Sequence, residues 1–251
     1  MPDRLRWLGH ATVLAELDGT RLLTDPLLRP RVLHLRRAAA LDLEELENLD
    51  AVLVSHVHYD HLDLPSLRRV SRETTVVVPR GAAALVRRSG FGTVVELGAG
   101  EDVDIGTLRV RAVPAEHDSS RILGLRSEAL GYVLAGSRRV YFAGDTDLFP
   151  GMAELGPDLD VALLPIWGWG PSLGPGHLDP RRAAEALALL RPRVAVPIHW
   201  GTYYPLQSTR LSLPAFLTAP VGEFERAAAE LAPQVDVRVL PVGGSLLLDQ
   251  G

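Results

Sequence analysis

Ser55-His56-Val57-His58-Tyr59-Asp60-His61 follows directly on the apolar run 51–54. Three imidazoles and a carboxylate, all able to bind a metal, fall within six residues at the end of an expected strand. In extended backbone, side chains two apart point the same way, so His56 and His58 should present their rings to one point. Asp60 and His61 follow in a turn ahead of a helix near Pro65 and should face a second point close by. Two adjacent metals are the natural reading. The chain has only eight histidines and three of them sit here, so a polar loop of unlinked histidines is the weaker explanation.

Around this motif, short apolar runs punctuated by turns predict strands over 12–17, 21–24, 51–55, 75–78, 93–97, 108–113, 131–135, 139–143, 161–165, 194–198, 235–240 and 245–248. Helices are expected over 65–70, 82–88, 181–190 and 223–231, with Pro65 and Pro180 where a helix start tolerates proline. Many strands with interspersed helices, then strand–helix pairs, indicate an α/β (α+β) protein whose mixed sheets are covered by helices. With 251 residues, 47% of them hydrophobic, one domain over 1–251 is expected.

The composition removes several chemistries. There is no Cys, hence no disulfide, thiolate nucleophile or sulfur-bound zinc. All 26 basic residues are Arg, which excludes Schiff-base lysine and the lysine of phosphate-binding loops. A net charge of −5 argues against general nucleic-acid binding. Arg4 and Arg6 lead into Trp7-Leu8-Gly9-His10 rather than an apolar export core, and residues 161–178, free of Asp, Glu, Lys and Arg, carry four Gly and three Pro. A cytoplasmic chain without a transmembrane segment is expected, and an oligomer is left open.

Three further candidates each follow an expected strand: His117, Asp145 and His199. Convergence from several strand ends suits a site built on a rigid scaffold. Asp25, also at a strand end, can orient a ligand imidazole through its other nitrogen or simply form a turn before Pro26. His10 is either a site residue or a buried hydrogen-bonded one, and His34 amid arginines reads as solvated. Trp167, Trp169, Trp200, Tyr203 and Tyr204 could wall a substrate, although core packing is the commoner fate. Residues 27–37 read as a capping loop more readily than as a lid.

The runs His56-Val57-His58-Tyr59-Asp60-His61, Ala115-Glu116-His117, Phe142-Ala143-Gly144-Asp145-Thr146 and Pro197-Ile198-His199-Trp200-Gly201-Thr202 resemble the successive metal motifs of the metallo-β-lactamase superfamily. That resemblance implies a four-layer αββα sandwich of two mixed β-sheets flanked by helices. It places His56, His58 and His117 on one metal and Asp60, His61 and His199 on the other, with Asp145 bridging. Asp60 and Asp145 would also serve catalysis, and His177 would lie over the site as proton donor or substrate contact. Trp7-Leu8-Gly9-His10-Ala11-Thr12, Leu23-Thr24-Asp25-Pro26, Leu163-Leu164-Pro165-Ile166 and His177-Leu178-Asp179-Pro180 are similar to the branch of N-acyl-phosphatidylethanolamine phospholipases D and ascorbate-6-phosphate lactonases. The chain departs from the animal phospholipases in starting six residues before Trp7. It departs from the common zinc β-lactamases, which lack a histidine at the position of His61 and use a Cys ligand, so antibiotic hydrolysis is not expected.

Imidazole and carboxylate donors suit Zn2+, with Mn2+, Fe2+ or Ni2+ also accommodated. Two metals about 3.5–4 Å apart activate a bridging hydroxide and polarise the oxygen under attack. The expected activity is hydrolysis of a phosphodiester, as in a phospholipase D, or of a related small or lipid-like substrate. A lactonase is the alternative within the class, and a metal-stabilised binding protein the alternative outside it. Gly170-Pro171-Ser172-Leu173-Gly174 matches a serine-hydrolase elbow, but Pro171 and Pro175 oppose the strand–turn–helix that the elbow requires.

Overall fold

Alternation along the strands decides the layers. The computed structural model describes residues 2–41, 46–118, 127–206, 208 and 215–248, leaving aside the Phe216 side chain. The first half of the chain forms β1 (Asp3–Gly9), β2 (Thr12–Leu17), β3 (Thr20–Thr24), β4 (Arg31–Val32), β5 (Leu35–Arg37), β6 (Ala51–Leu53), α1 (Leu64–Leu67), β7 (Thr75–Pro79), α2 (Ala83–Arg87) and β8 (Val94–Leu97). The second half forms β9 (Asp102–Ile105), β10 (Leu108–Pro114), β11 (Leu130–Ala135), β12 (Arg139–Phe142), β13 (Val161–Pro165), α3 (Pro180–Leu190), β14 (Val194–Ile198), β15 (Tyr203–Pro205), α4 (Ala215–Leu231), β16 (Asp236–Val237) and β17 (Ser245–Leu248).

Two seven-stranded sheets result, ordered β17-β1-β2-β3-β6-β7-β8 and β16-β14-β13-β12-β11-β10-β9, beside a small sheet β15-β5-β4. Each large sheet is mixed: antiparallel hairpins on one side, parallel strands on the other. Ala51 and Leu53 of β6, with Val161 and Leu163 of β13, enter the core between the sheets. Val52 turns the other way onto the layer holding Leu67 of α1 and Val86 of α2. Ala162 and Leu164 turn outward against Ala183 and Leu187 of α3 and Phe224 of α4. Strands buried on both faces therefore read as continuous apolar runs, and the order of layers is the expected αββα.

Local chemistry sets the helix starts. Asp63 caps α1 by accepting from the Ser66 N–H, and Asp179 caps α3 by accepting from the Arg182 N–H, each with proline in the first turn. Several expected boundaries are corrected. α4 begins at Ala215, and the strand expected over 235–240 is only the two-residue β16. β1, β4, β5, β9 and β15 were not expected from the apolar runs. In β1 the alternation Arg4, Leu5, Arg6, Trp7 masks a strand with one buried face, and in β9 two Asp side chains mark a polar edge.

β1, β3 and β6 run one way in the first sheet, as do β10, β12, β13 and β14 in the second. Their C-terminal ends deliver His10, Asp25, the segment 55–61, His117, Asp145, Trp167 and His199 to one edge of the sandwich, where such sheets bind ligands.

Candidate metal centre

The extended geometry expected for His56 to His58 is corrected to a bend, since β6 ends at Leu53, while Asp60 and His61 lie in a turn as expected: His61 and Leu62 N–H both donate to the His58 carbonyl, at 3.0 and 2.8 Å. The turn still gathers the histidines. The His56 ring lies 4.6 Å from both the His58 and His117 rings, and His58 Nδ1 faces His117 Nε2 at 3.1 Å. These three form one group of possible metal ligands. On the other side of Asp145, His61 Nε2 faces His199 Nε2 at 3.2 Å, with Asp60 Oδ2 at 3.5 Å from each. Asp145 reaches His61 Nε2 through Oδ2 at 3.2 Å and His199 Nε2 through Oδ1 at 3.4 Å.

The surroundings decide which nitrogen of each ring is free. Asp25 Oδ2 accepts from His61 Nδ1 at 2.6 Å, and the Trp167 carbonyl accepts from His199 Nδ1 at 2.6 Å. The Gly176 carbonyl accepts from His117 Nδ1 at 2.8 Å. Ser55 Oγ donates to Asp25 Oδ2 at 2.5 Å, and its lone pair accepts from His56 Nδ1 at 3.0 Å. In all four rings the proton is drawn to Nδ1, and the Nε2 lone pair points inward. His56 Nε2 and Asp145 Oδ1 are buried without any hydrogen-bond partner. Converging lone pairs and orphaned acceptors are costly without a cation and natural with one, so these residues fit a metal.

Protonation divides the site. Burial, with His61 alongside, keeps His56 neutral, and burial likewise lowers His58 and pushes His117 down to about 4. Burial also opposes charge on His61, but Asp145, Asp60 and Asp25 hold it well above the ordinary imidazole range. His199 is raised against burial by Asp145 and Asp60. Asp145 pays the same burial penalty yet lies well below the usual carboxylate range because of His199 and His61.

Strand ends turn sharply into this edge. His10, Asp25 and His199 take positive φ of 54°, 32° and 63°, unusual for residues other than glycine, and Gly144 before Asp145 takes 62°. His10 sits behind Asp60: its Nε2 is 2.8 Å from Asp60 Oδ2, its ring is 3.8 Å from that of His199, and burial pushes it down to about 3. A neutral His10 therefore donates from Nε2, and Trp169 Nε1 donates to the same oxygen at 2.5 Å. His177, partly exposed, has Nε2 3.6 Å from Asp145 Oδ2. Trp200 does not face the metal ligands; it stacks on Trp7 at 5.5 Å between the sheets. Trp167 gives the site its carbonyl, while its indole donates to Gly170. Tyr203 is buried behind His10 and Trp169 and donates to the Arg29 carbonyl. Leu27, Leu28, Val32 and Leu35 are buried, so residues 27–37 pack onto the domain, but as a short hairpin of β4 and β5 rather than the expected loop; Leu33 alone among these leucines is exposed.

Sequence reasoning assigned no role to Ser55 or to the Trp167 and Gly176 carbonyls. Ser55 adjoins the motif and was the one readable signal; backbone carbonyls carry none.

A family model described as a Beta-lactamase superfamily domain matches residues 20–200. The chain belongs to the β-lactamase superfamily. Within it, the chain is 35% identical over 236 residues to N-acyl-phosphatidylethanolamine-hydrolyzing phospholipase D 1 of Caenorhabditis elegans, covering 82% of this chain but 66% of that protein. It is 33% identical over 252 residues to a UPF0173 metal-dependent hydrolase of Methanopyrus kandleri, covering 96% and 98%. The solved structure of Igni18, a metallo hydrolase of Ignicoccus hospitalis, superposes with a TM-score of 0.73 over the full length of both chains at 24% identity, which establishes the shared fold. This superfamily member is a metal-dependent hydrolase with a candidate His/Asp cluster for a metal. Among the described residues, no helix is long and apolar enough to cross a membrane.

Proposed function

We propose that the chain holds two divalent cations and hydrolyses a phosphodiester on a lipid-like or other small substrate. His56 Nε2, His58 Nδ1 and His117 Nε2 would hold the first cation, Asp60, His61 Nε2 and His199 Nε2 the second, with Asp145 shared. The observation that carries the reading is the outward Nδ1–H of His56, His61, His117 and His199, which leaves four inward lone pairs around Asp145. The phosphodiester preference rests on likeness to the nematode phospholipase D, of which this chain spans only 66%. Zinc suits the donor set best.

When bound, such a metal pair supplies a water nucleophile at neutral pH and polarises the substrate oxygen under attack. The chain's own residues do the rest. Asp145 offsets repulsion between two nearby dications with its negative charge. Asp60 is held by the His10 and Trp169 donors, and Asp25 fixes His61 directly and His56 through Ser55. His177 Nδ1 donates toward the Gly174 and Pro175 carbonyls, so Nε2 is turned to Asp145 Oδ2; there it can take a proton from a water and, as the imidazolium so formed, pass that proton to a leaving oxygen. No side-chain nucleophile is needed, and Ser172 lies in a loop well ahead of α3 rather than on an elbow.

Metal analysis of the purified chain, followed by turnover of a phosphodiester and a lactone panel, tests the reading. The expected result is two metals per chain, phosphodiester hydrolysis abolished by chelator, and both metal retention and turnover largely lost in Asp145→Asn. Lactone turnover alone would move the activity to a lactonase. Bound metal with no turnover on either panel would make the chain a binding protein, and near-wild-type turnover in Asp145→Asn would refute the ligand assignment.

A further inference from the structure

A cavity of about 350 Å³ opens on the outer face of the second sheet, between β10–β12 and the segment from Phe149 to Leu155. That volume lies within the range of small-molecule sites, roughly 300–1,000 Å³. Val113, Val133 and Phe149 form apolar walls, and Arg111 and Arg139 line the cavity from β10 and β12. Arg139 Nε is buried without a hydrogen-bond partner. Glu154 also lines the cavity, yet among the described residues no ion pair joins it to either guanidinium. Two guanidinium groups with no ion-pair partner beside an apolar wall leave positive charge for a ligand to answer.

A second crevice, bordered by the other side of Arg139, differs in this respect. There Asp160 accepts from the Arg139 backbone N–H and pairs with Arg138 and Arg193. Arg138 and Arg193 thus have a carboxylate partner; among the described residues the guanidinium groups of Arg111 and Arg139 have none.

We propose that this cavity binds a small amphipathic monoanion, a carboxylate carried on an apolar ring or chain. Two guanidinium groups against one carboxylate leave a single positive charge to be matched. A planar carboxylate fits the guanidinium fork, and the apolar body fills the space against Val133 and Phe149. The site is separate from the metal centre. None of the residues lining it is a candidate metal ligand: Arg111 and Arg139 stand in β10 and β12, ahead of the strand ends that deliver His117 and Asp145.

4-Fluorobenzoate titrated into the metal-loaded full chain and followed by 19F NMR tests the proposal. Saturable binding is expected, weakened at least about tenfold in Arg139→Gln and in Arg111→Gln, and weakened as much when uncharged 4-fluorobenzamide replaces the acid. Arg111 is exposed, so Arg111→Gln carries the test if Arg139→Gln does not fold. Absence of saturable binding overturns the proposal. So does binding that both substitutions leave unchanged, since the probe would then sit at the metals, and so does equal binding of the uncharged amide.

Discussion

Asp25→Asn is the most demanding perturbation of the site, because it changes one buried atom and touches both candidate metal positions. Three donors converge on the two Asp25 oxygens: the Ser55 N–H at 2.7 Å, the Ser55 hydroxyl at 2.5 Å and His61 Nδ1 at 2.6 Å. Burial pushes this carboxyl up, but His61 and Ser55 oppose that, and the three donors call for the ionised form. An asparagine turned either way sets its NH2 against at least one of them. One orphaned buried donor costs about 1–3 kcal/mol, and each bond that falls from charge-assisted to neutral costs about 1 kcal/mol more. The expected loss of about 3 kcal/mol lowers the thermal midpoint by about 6–12 °C in a chain of this size. Metal affinity should fall about 10–100-fold, since His61 loses its orienting partner and the Ser55 relay to His56 is broken. Competition with a chromophoric chelator and thermal unfolding with and without metal measure the two effects. Asp160→Asn, whose carboxylate serves Arg138, Arg139 and Arg193 at the far end of the strands, is the control and should keep wild-type metal affinity. Metal affinity in Asp25→Asn within about twofold of wild type would refute the outer-partner argument.

In the metal-free chain the neighbouring carboxylates favour proton binding at His61 and His199, whereas burial disfavours it at His56 and His58 and pushes His117 down to about 4, so protons compete with a cation for the Nε2 lone pairs at the second position more than at the first. On acidification the second position should therefore lose its cation first, and metal content should fall from two to one before reaching none. Simultaneous loss, followed by atomic emission across a pH series, would contradict this. Trp169→Phe removes the indole donor to Asp60 and should weaken the second position about tenfold while sparing the first. Equal weakening of both positions in a stepwise chelator titration would count against it. Gly144→Ala places a Cβ 2.6 Å from Ser55 Cβ and 2.9 Å from the Leu130 carbonyl oxygen, at φ +62°. Strained backbone and overpacking together should cost about 3 kcal/mol, visible as a midpoint about 6–12 °C lower; an unchanged midpoint would show that the turn adapts.

The clamp around the ligands comes largely from one stretch of irregular backbone. Between Trp167 and His177 the chain supplies the carbonyls that fix His199 and His117, the indole that holds Asp60, and an imidazole near Asp145. Gly176 permits this approach: at φ +79°, an added Cβ would come within 3.0 Å of His117 Cα. Substitutions here are therefore expected to act on metal retention before they act on the stability of the sheets.

Sequence alone indicated the layered α/β architecture and the histidine and aspartate side chains of the candidate site. Runs such as 161–165, short, apolar and bounded by turn residues, read as interior strands, and histidine, rare in this chain, is concentrated after one of them. Local pattern also placed Pro65 and Pro180 at helix starts, because capping and proline geometry act within a single turn. Only the tertiary structure decided which nitrogen of each imidazole is free, since the groups that fix it are Asp25, Ser55 and two backbone carbonyls brought from distant strand ends. It likewise bent the backbone at His56 to His58, where an extended run was expected, and moved Trp200 away from the candidate ligands onto Trp7. Periodicity reports which side of its own strand a residue faces; what waits on that side is set by contacts far apart in sequence.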